Sequence, residues 1–326
     1  MTVPGKNQAL SAVEPPAVVL TGTVETKGGW QKYPPTFSFR AGQPPGWPKM
    51  SQKEKHMNRS EILTMASAIL RKARQLGAPL AGFANVEDLK TAPAFTFAPK
   101  MPDAGQGVGT RKSEMELSPG EVQWPEQAKS VLVIAMEHPR ETPELDWWFG
   151  KISPPGNKLL VNVVNELCQW IPATFDTGVF HFPYHVEKGG IYLKDAAAMA
   201  GIGCIGRNNM LVTPEFGPRV RLRAMGLNVP VPSTGPTPFD PCAQCDDVCR
   251  RACPQKAFDK ITYTPTKDYD QTILPGRDGR YARPVCNQQM EKNIDHAKEA
   301  KPDGFEKPVK IVKYCRICEF SCPVGK

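Results

Sequence analysis

The sequence predicts an α+β protein in two folded parts preceded by an extended arm. Three features predict it. At 326 residues the chain is long enough for two domains, a typical one running about 100 to 200 residues. Between residues 59 and 235, helical and strand-like apolar patterns alternate. Eight of the ten cysteines fall beyond residue 241, seven of them in two phased blocks. The expected boundaries are 1–58 for the arm, 59–235 for the helix-and-strand domain and 236–326 for the cysteine-rich domain.

Residues 1–58 are rich in Pro, Gly, Lys and Thr, with isolated aromatics such as Trp30, Tyr33, Phe37 and Trp47 and too few periodic apolar positions for a core. Ser60 is the expected cap of a helix in which Ile62, Leu63, Met65, Ala66, Ile69, Leu70, Ala73 and Leu76 keep the helical period, with Gly77 as its stop. Pro79 to Ala84 reads as a short strand. Residues 92–126 are irregular, and Gly105-x-Gly107-x-Gly109 lacks the flanking strand and helix of a phosphate cradle, so it reads as a loop. Ser130 to Met136 (SVLVIAM) is the continuous apolar run of a strand covered on both faces. Asn157 to Trp170 is an amphipathic helix, with Cys168 as a small buried residue.

An Ala-rich helix then runs into Gly201-x-Gly203-x-x-Gly206, followed by a strand from Met210, a turn over Pro214 to Pro218 and a strand from Arg219. Because the helix precedes the glycines, the order is not that of a dinucleotide fingerprint. The glycines instead let backbone approach a large flat ligand, or turn tightly between helix and strand. Arg219, Arg221 and Arg223 alternate and so share one charged strand face, expected to be solvated, with an anion-facing strand as the alternative.

The cysteine blocks are Cys242-x2-Cys245-x3-Cys249-x3-Cys253-Pro254 and Cys315-x2-Cys318-x3-Cys322-Pro323, with Cys286 between them. This is the layout of a two-cluster ferredoxin module. A cubane needs four thiolates from different directions, and a tight loop supplies only three before it has turned past the metal. In bacterial ferredoxin runs the cysteine before proline ligates the other cluster. Applied here, Cys242, Cys245 and Cys249 join Cys322 on one 4Fe–4S cluster, and Cys315, Cys318 and Cys286 join Cys253 on the second. Disulfides would require an oxidising compartment, and the start MTVPGKNQAL has no basic stretch followed by an apolar one. Zinc ribbons use Cys-x2-Cys knuckles but do not need four cysteines in one short run before a proline, although thiolates alone do not name the metal. The three residues between Cys245 and Cys249, where the usual run has two, allow a bulged loop or a different third ligand.

The formal charge is +8. Each oxidised cluster with its thiolates adds about −2, which would cancel about half of that charge and weakens any argument for nucleic acid. No stretch approaches the roughly eighteen consecutive apolar residues of a membrane span. Reduced thiols and the lack of a twin-arginine signal place the chain most simply in the cytoplasm.

On the segments ILRKARQLGAPLAGFA, KSVLVIAM and AGIGCIGRNNMLVTPEFGPRVRL, joined in order to the double cysteine block with Cys286 ahead of Tyr314-Cys315, the chain resembles the family uniting epoxyqueuosine reductases and corrinoid-dependent reductive dehalogenases. The resemblance runs from Ile62 to Pro323, and GPRVRL is closer to the dehalogenase branch. It implies a nitroreductase-like α/β domain holding a cobalamin with its lower base detached, followed by a two-cluster ferredoxin-like domain that feeds it electrons. Counting back from Gly201 without a gap, the catalytic aspartate of the epoxyqueuosine branch falls on Glu187, the expected general acid, whose pKa an apolar corrin face would raise. Tyr184, His185 and Tyr192 are alternative donors, and the plainer alternative for Glu187 is a surface residue beside Lys188. Gly201, Gly203, Cys204, Gly206, Arg207, Asn208 and Asn209 are expected to border the corrinoid, the last three through its amide rim or a substrate anion, or else to cap the turn.

Epoxyqueuosine reductases continue past the second cysteine block into helical repeats that help hold tRNA, and respiratory dehalogenases are longer, with a twin-arginine leader. The expectation is therefore a compact cytoplasmic member that cleaves a carbon–halogen or carbon–heteroatom bond in a small-molecule substrate. Its electrons would come from a low-potential donor such as ferredoxin or flavodoxin, with no membrane and no nucleic-acid partner. Two alternatives are an iron–sulfur electron-transfer protein without corrinoid, for instance the reductive activator of a partner, and an epoxyqueuosine reductase-like enzyme acting on tRNA.

Overall fold

The structure is a computed structural model that describes residues 57–100, 120–264, 267 and 278–325, all within one compact unit. The expected arm over 1–58, save its last two residues, and the Gly105–Gly109 loop lie outside the described residues.

Helix α1, Arg59–Gln75, starts one residue before the expected cap. Asn58, not Ser60, caps it: the Asn58 side chain accepts from the Glu61 backbone N–H while the Glu61 carboxylate accepts from that of Asn58. Leu63, expected on the apolar face, is exposed. The chain continues through β1, Leu80–Asn85, and two short helices, α2, Val86–Lys90, and α3, Pro93–Phe97, the latter inside the stretch expected to be irregular. Next come β2, Ser130–Glu137, β3, Trp148–Phe149, and α4, Pro155–Phe175, which extends beyond the expected helix at both ends. Then follow β4, Val179–His181, α5, Leu193–Met199, the hairpin strands β5, Cys204–Ile205, and β6, Leu211–Val212, and β7, Val220–Leu227. The cysteine-rich part holds α6, Val248–Arg251, α7, Arg283–Asp295, β8, Lys298–Ala300, β9, Val309–Val312, and α8, Ile317–Phe320.

The main sheet has the order β1-β2-β7-β4 with every neighbour antiparallel. On β2 the alternation of strand side chains splits the apolar run between two cores. Val131, Val133 and Ala135 pack with α5, while Leu132 and Ile134 pack with α1 and α4. Leu160, Leu167 and Ile171 of α4 are fully buried, each stabilising the fold by about 1.5–3 kcal/mol relative to exposure. A second sheet, β3-β9-β8, pairs Trp148 with Val312 and so ties a strand from the middle of the chain to the cysteine-rich end.

The alternation in β7 sends Val220, Leu222 and Ala224 to the α5 core and Met225 and Leu227 to the other. Arg219, Arg221 and Arg223 lie on that second side, but they are not solvated as expected: Arg219 is 6% and Arg223 9% exposed. β7 is an inner strand, and at this end its cover changes from apolar helix to the charged side chains Asp146 and Glu319 and the ring of Tyr184.

Candidate metal centre and its surroundings

All ten cysteines are free thiols. Eight of them sort by mutual electrostatic influence into two neighbourhoods that cross the sequence blocks. Cys242 is influenced by Cys322 and Cys245, and Cys249 by Cys322, Cys242 and Cys245. Cys315 is influenced by Cys286 and Cys253, and Cys318 by Cys315 and Cys286. Cys318 also reaches Cys249, so the two quartets adjoin. The last cysteine of each block thus lies within electrostatic reach of cysteines of the other block.

Backbone amides point at both quartets. The Arg207 and Arg250 N–H groups donate to Cys242 and Cys249, and the Ala257 and Ile317 N–H groups donate to Cys253 and Cys315. Such donors stabilise charge on cluster sulfur. Burial pushes the Cys249 thiol up to about 11 and raises Cys318 further, so a metal that binds here displaces protons. Among the described residues, no three His, Cys, Asp or Glu side chains converge tightly enough to hold a single metal ion. A cubane differs from a single ion in binding one thiolate at each of four separate irons, and all-thiolate quartets with amide donors fit that group.

The Gly-rich segment supports the first quartet. A Cβ on Gly203 would stand 2.1 Å from the Val212 carbonyl oxygen, and one on Gly201 2.8 Å from that of Thr234. These glycines therefore serve close approach of the chain to itself. Gly206 packs against Val212 and faces Cys242. Arg207, besides its amide bond to Cys242, donates to the Cys245 carbonyl and pairs with Asp247 at 3.0 Å. Asn208 is buried with its side-chain oxygen accepting from the Met210 N–H, and Asn209 takes the left-handed conformation at the hairpin turn, where its carbonyl accepts from Lys194. Cys204 is 2% exposed, and burial, followed by the charges of Cys242, Asp240 and Cys322, pushes it up to about 12. These seven positions are packed or bonded within the chain, and Arg207 also lines an open cavity beside Cys242 while Gly201 lines a second.

The proton-donor candidates gather after β4. Glu187 lies in a 3-10 turn, Val186–Lys188, with its carboxylate 3.4 Å from His185 Nδ1. The half-exposed Tyr184 ring is covered on one face by the Arg223 guanidinium, 4.5 Å from its centroid. Burial, then the Arg223 charge, lowers the His181 pKa, while burial with Lys188 and Arg223 outweighs Glu187 and lowers His185. Tyr192 stands apart, its hydroxyl donating to the Gly120 carbonyl. Arg283 donates to the Tyr281 hydroxyl, and Tyr281 in turn contacts Cys286. Sequence reasoning missed Arg223, Tyr281 and Arg283 as neighbours of these sites. Arg223 carried a signal, its alternation with Arg221, whereas Tyr281 and Arg283 carried none.

No family model matches the chain. An epoxyqueuosine reductase of Lactococcus garvieae is 24% identical over 275 residues, covering 81% of this chain and 70% of that protein. The tetrachloroethene reductive dehalogenase of Sulfurospirillum multivorans is 40% identical over 132 residues, 40% of this chain and 23% of the dehalogenase. The chain is thus similar to an epoxyqueuosine reductase over most of its length and to a reductive dehalogenase over part of it. Both names describe reductions, which indicates an oxidoreductase. A solved epoxyqueuosine reductase from Bacillus subtilis shares the mixed helix-and-sheet fold with a TM-score of 0.53 at 20% identity, over 81% of this chain and 66% of that one. Another solved structure, an epoxyqueuosine reductase with a tRNA-Tyr stem loop, matches at a TM-score of 0.52 and 19% identity. The chain thus spans about two thirds of the reductase structures and under a quarter of the dehalogenase. Among the described residues no helix is long and apolar enough to cross a membrane.

Proposed function

We propose that the chain is an iron–sulfur reductase in which residues 236–326 hold two 4Fe–4S clusters. Cys242, Cys245, Cys249 and Cys322 bind one and Cys253, Cys286, Cys315 and Cys318 the other. They pass electrons from a low-potential donor to a reductive cleavage beside Tyr184, His185 and Glu187. What supports this reading is that Cys322 acts electrostatically on Cys242 and Cys249, and Cys253 on Cys315, across the two blocks. Tyr184 and Glu187 are the candidate proton donors, Tyr184 being half-exposed beneath a guanidinium. Changing Tyr184→Phe or Glu187→Gln should lower turnover and leave the cluster signals intact.

A cobalamin enters this proposal through the similarity to reductases and dehalogenases. When bound it would supply the reduced metal centre for bond cleavage. Anaerobic purification with iron and cobalt analysis and a visible spectrum tests the reading, and a colourless, iron-free protein overturns it. Reconstitution with hydroxocobalamin followed by gel filtration separates a corrinoid enzyme, which co-elutes with cobalt, from an electron-transfer protein, which does not.

A second reading is reduction of a modified tRNA base, favoured by the neighbour that holds a tRNA stem loop. Binding of that stem loop should then weaken with salt as counterions are retained on the phosphates, and absence of salt-dependent binding removes this reading.

A further inference from the structure

We propose that a closed ring of four charges, Asp146, Arg221, Glu319 and Arg316, positions the second quartet against the main sheet and sets the reduction potential of its cluster. The proposal rests on the reading that this quartet holds iron. Charges alternate around the ring. Arg221 Nε and Nη2 donate to the two Asp146 oxygens at 2.8 and 3.0 Å, and Arg221 Nη2 donates to Glu319 Oε2 at 3.2 Å. Arg316 Nε donates to Glu319 Oε2 at 3.0 Å, and Arg316 Nη1 closes the ring 2.7 Å from Asp146 Oδ2. His138, fully buried, bonds Asp146 through Nδ1 at 3.0 Å and accepts from Arg316 at its carbonyl.

Two members belong to the sheet side and two to the cluster loop. Asp146 ends a 3-10 turn and Arg221 lies on β7, two residues from the Arg223 that covers Tyr184. Arg316 directly follows Cys315, and Glu319 directly follows Cys318. The ring thus clamps both sides of the loop that carries two ligands to the strand that carries the donor-side arginine.

Stability does not account for such a ring. Buried ion networks are commonly matched or exceeded by apolar residues of the same volume, because desolvation offsets the attraction, although removing one partner alone is costly. What charges supply and apolar groups do not is one fixed register and a local field. The charges stand beside the ligands, since Arg316 directly follows Cys315 and Glu319 directly follows Cys318. Neutralising Glu319 leaves one unbalanced positive charge beside the cluster and favours its reduction, whereas neutralising Arg221 leaves a negative one and opposes it.

The test is an anaerobic redox titration followed by paramagnetic resonance on the reconstituted full chain and its variants, with Cys253→Ser identifying the second-quartet signal. Glu319→Gln should raise that potential, Arg221→Gln should lower it, and Arg221→Lys should return it toward the parent value. The first-quartet potential should move less in each. Shifts of the same sign in both neutral variants, no shift, or equal shifts of both clusters overturn the proposal and leave the ring a structural clamp. Where Arg221→Gln alone does not load iron, the double variant Arg221→Gln with Glu319→Gln decides: a potential restored toward the parent supports the field, and one that stays at the Glu319→Gln value overturns it. A parent protein that takes up no iron removes the cluster reading itself, and this proposal with it.

Discussion

Cys249 in the first block feels Cys322 at the end of the second more strongly than any other thiol. Cys322→Ser should therefore cost the cluster of the first block, and Cys253→Ser that of the second, each leaving about half of the iron. Iron and sulfide analysis with paramagnetic resonance reads this directly. Loss of the second-block signal in Cys322→Ser would show that the blocks do not cross.

Gly203→Ala probes what the Gly-rich segment does. Its new methyl would press on the Val212 carbonyl in the hairpin that aims the Arg207 amide at Cys242. The variant should lose the first cluster and keep the second, whereas a segment devoted to an organic cofactor would spare both clusters.

Gly156→Ala would set a methyl 2.0 Å from His138 Cε1, in a site with no room to yield. Overpacking of this kind costs about 1–3 kcal/mol, so the variant should unfold at lower temperature or denaturant in a melt followed by circular dichroism.

Asp146 gives the fold a pH dependence. Burial alone would raise its pKa, but the His138 hydrogen bond and the charges of Arg221, His138 and Arg316 outweigh burial and hold it below the usual value. A lowered folded-state pKa contributes stability that is present above the unfolded value, about 4, and is lost as pH falls through the folded one. The parent protein should lose stability progressively below about pH 4. Asp146→Asn should be less stable at neutral pH and lose less on acidification. Denaturant titrations at several pH values check both arms, and parallel pH profiles for the two proteins would exclude this carboxylate.

Much of the framework was legible because its signals are local. The run Ser130–Met136 is a strand with apolar residues on both sides, and the apolar period from Ile62 marks a helix that Gly77 follows. The two cysteine blocks with Cys286 between them were legible from spacing alone. The fate of Arg221 was not. Alternating charge reads as solvent exposure unless the groups that cover the strand are known, and here they are Asp146 and Glu319, both far away in sequence. Asn58 was passed over for Ser60 because both are good caps, and only the reciprocal bond with Glu61 distinguishes them. The Gly-rich segment offered two physical reasons for glycine, and only the position of Val212 and Thr234 decides for tight self-packing.

The pairing of β3 with β9 has a practical outcome for anyone wishing to isolate the iron-binding end. Severed at residue 235, that piece would leave the Val309–Val312 strand with a bare row of amide and carbonyl groups where Trp148 and Phe149 had been. Such an edge recruits other copies, so the excised fragment should precipitate or self-associate unless residues 148–149 travel with it as a tethered peptide.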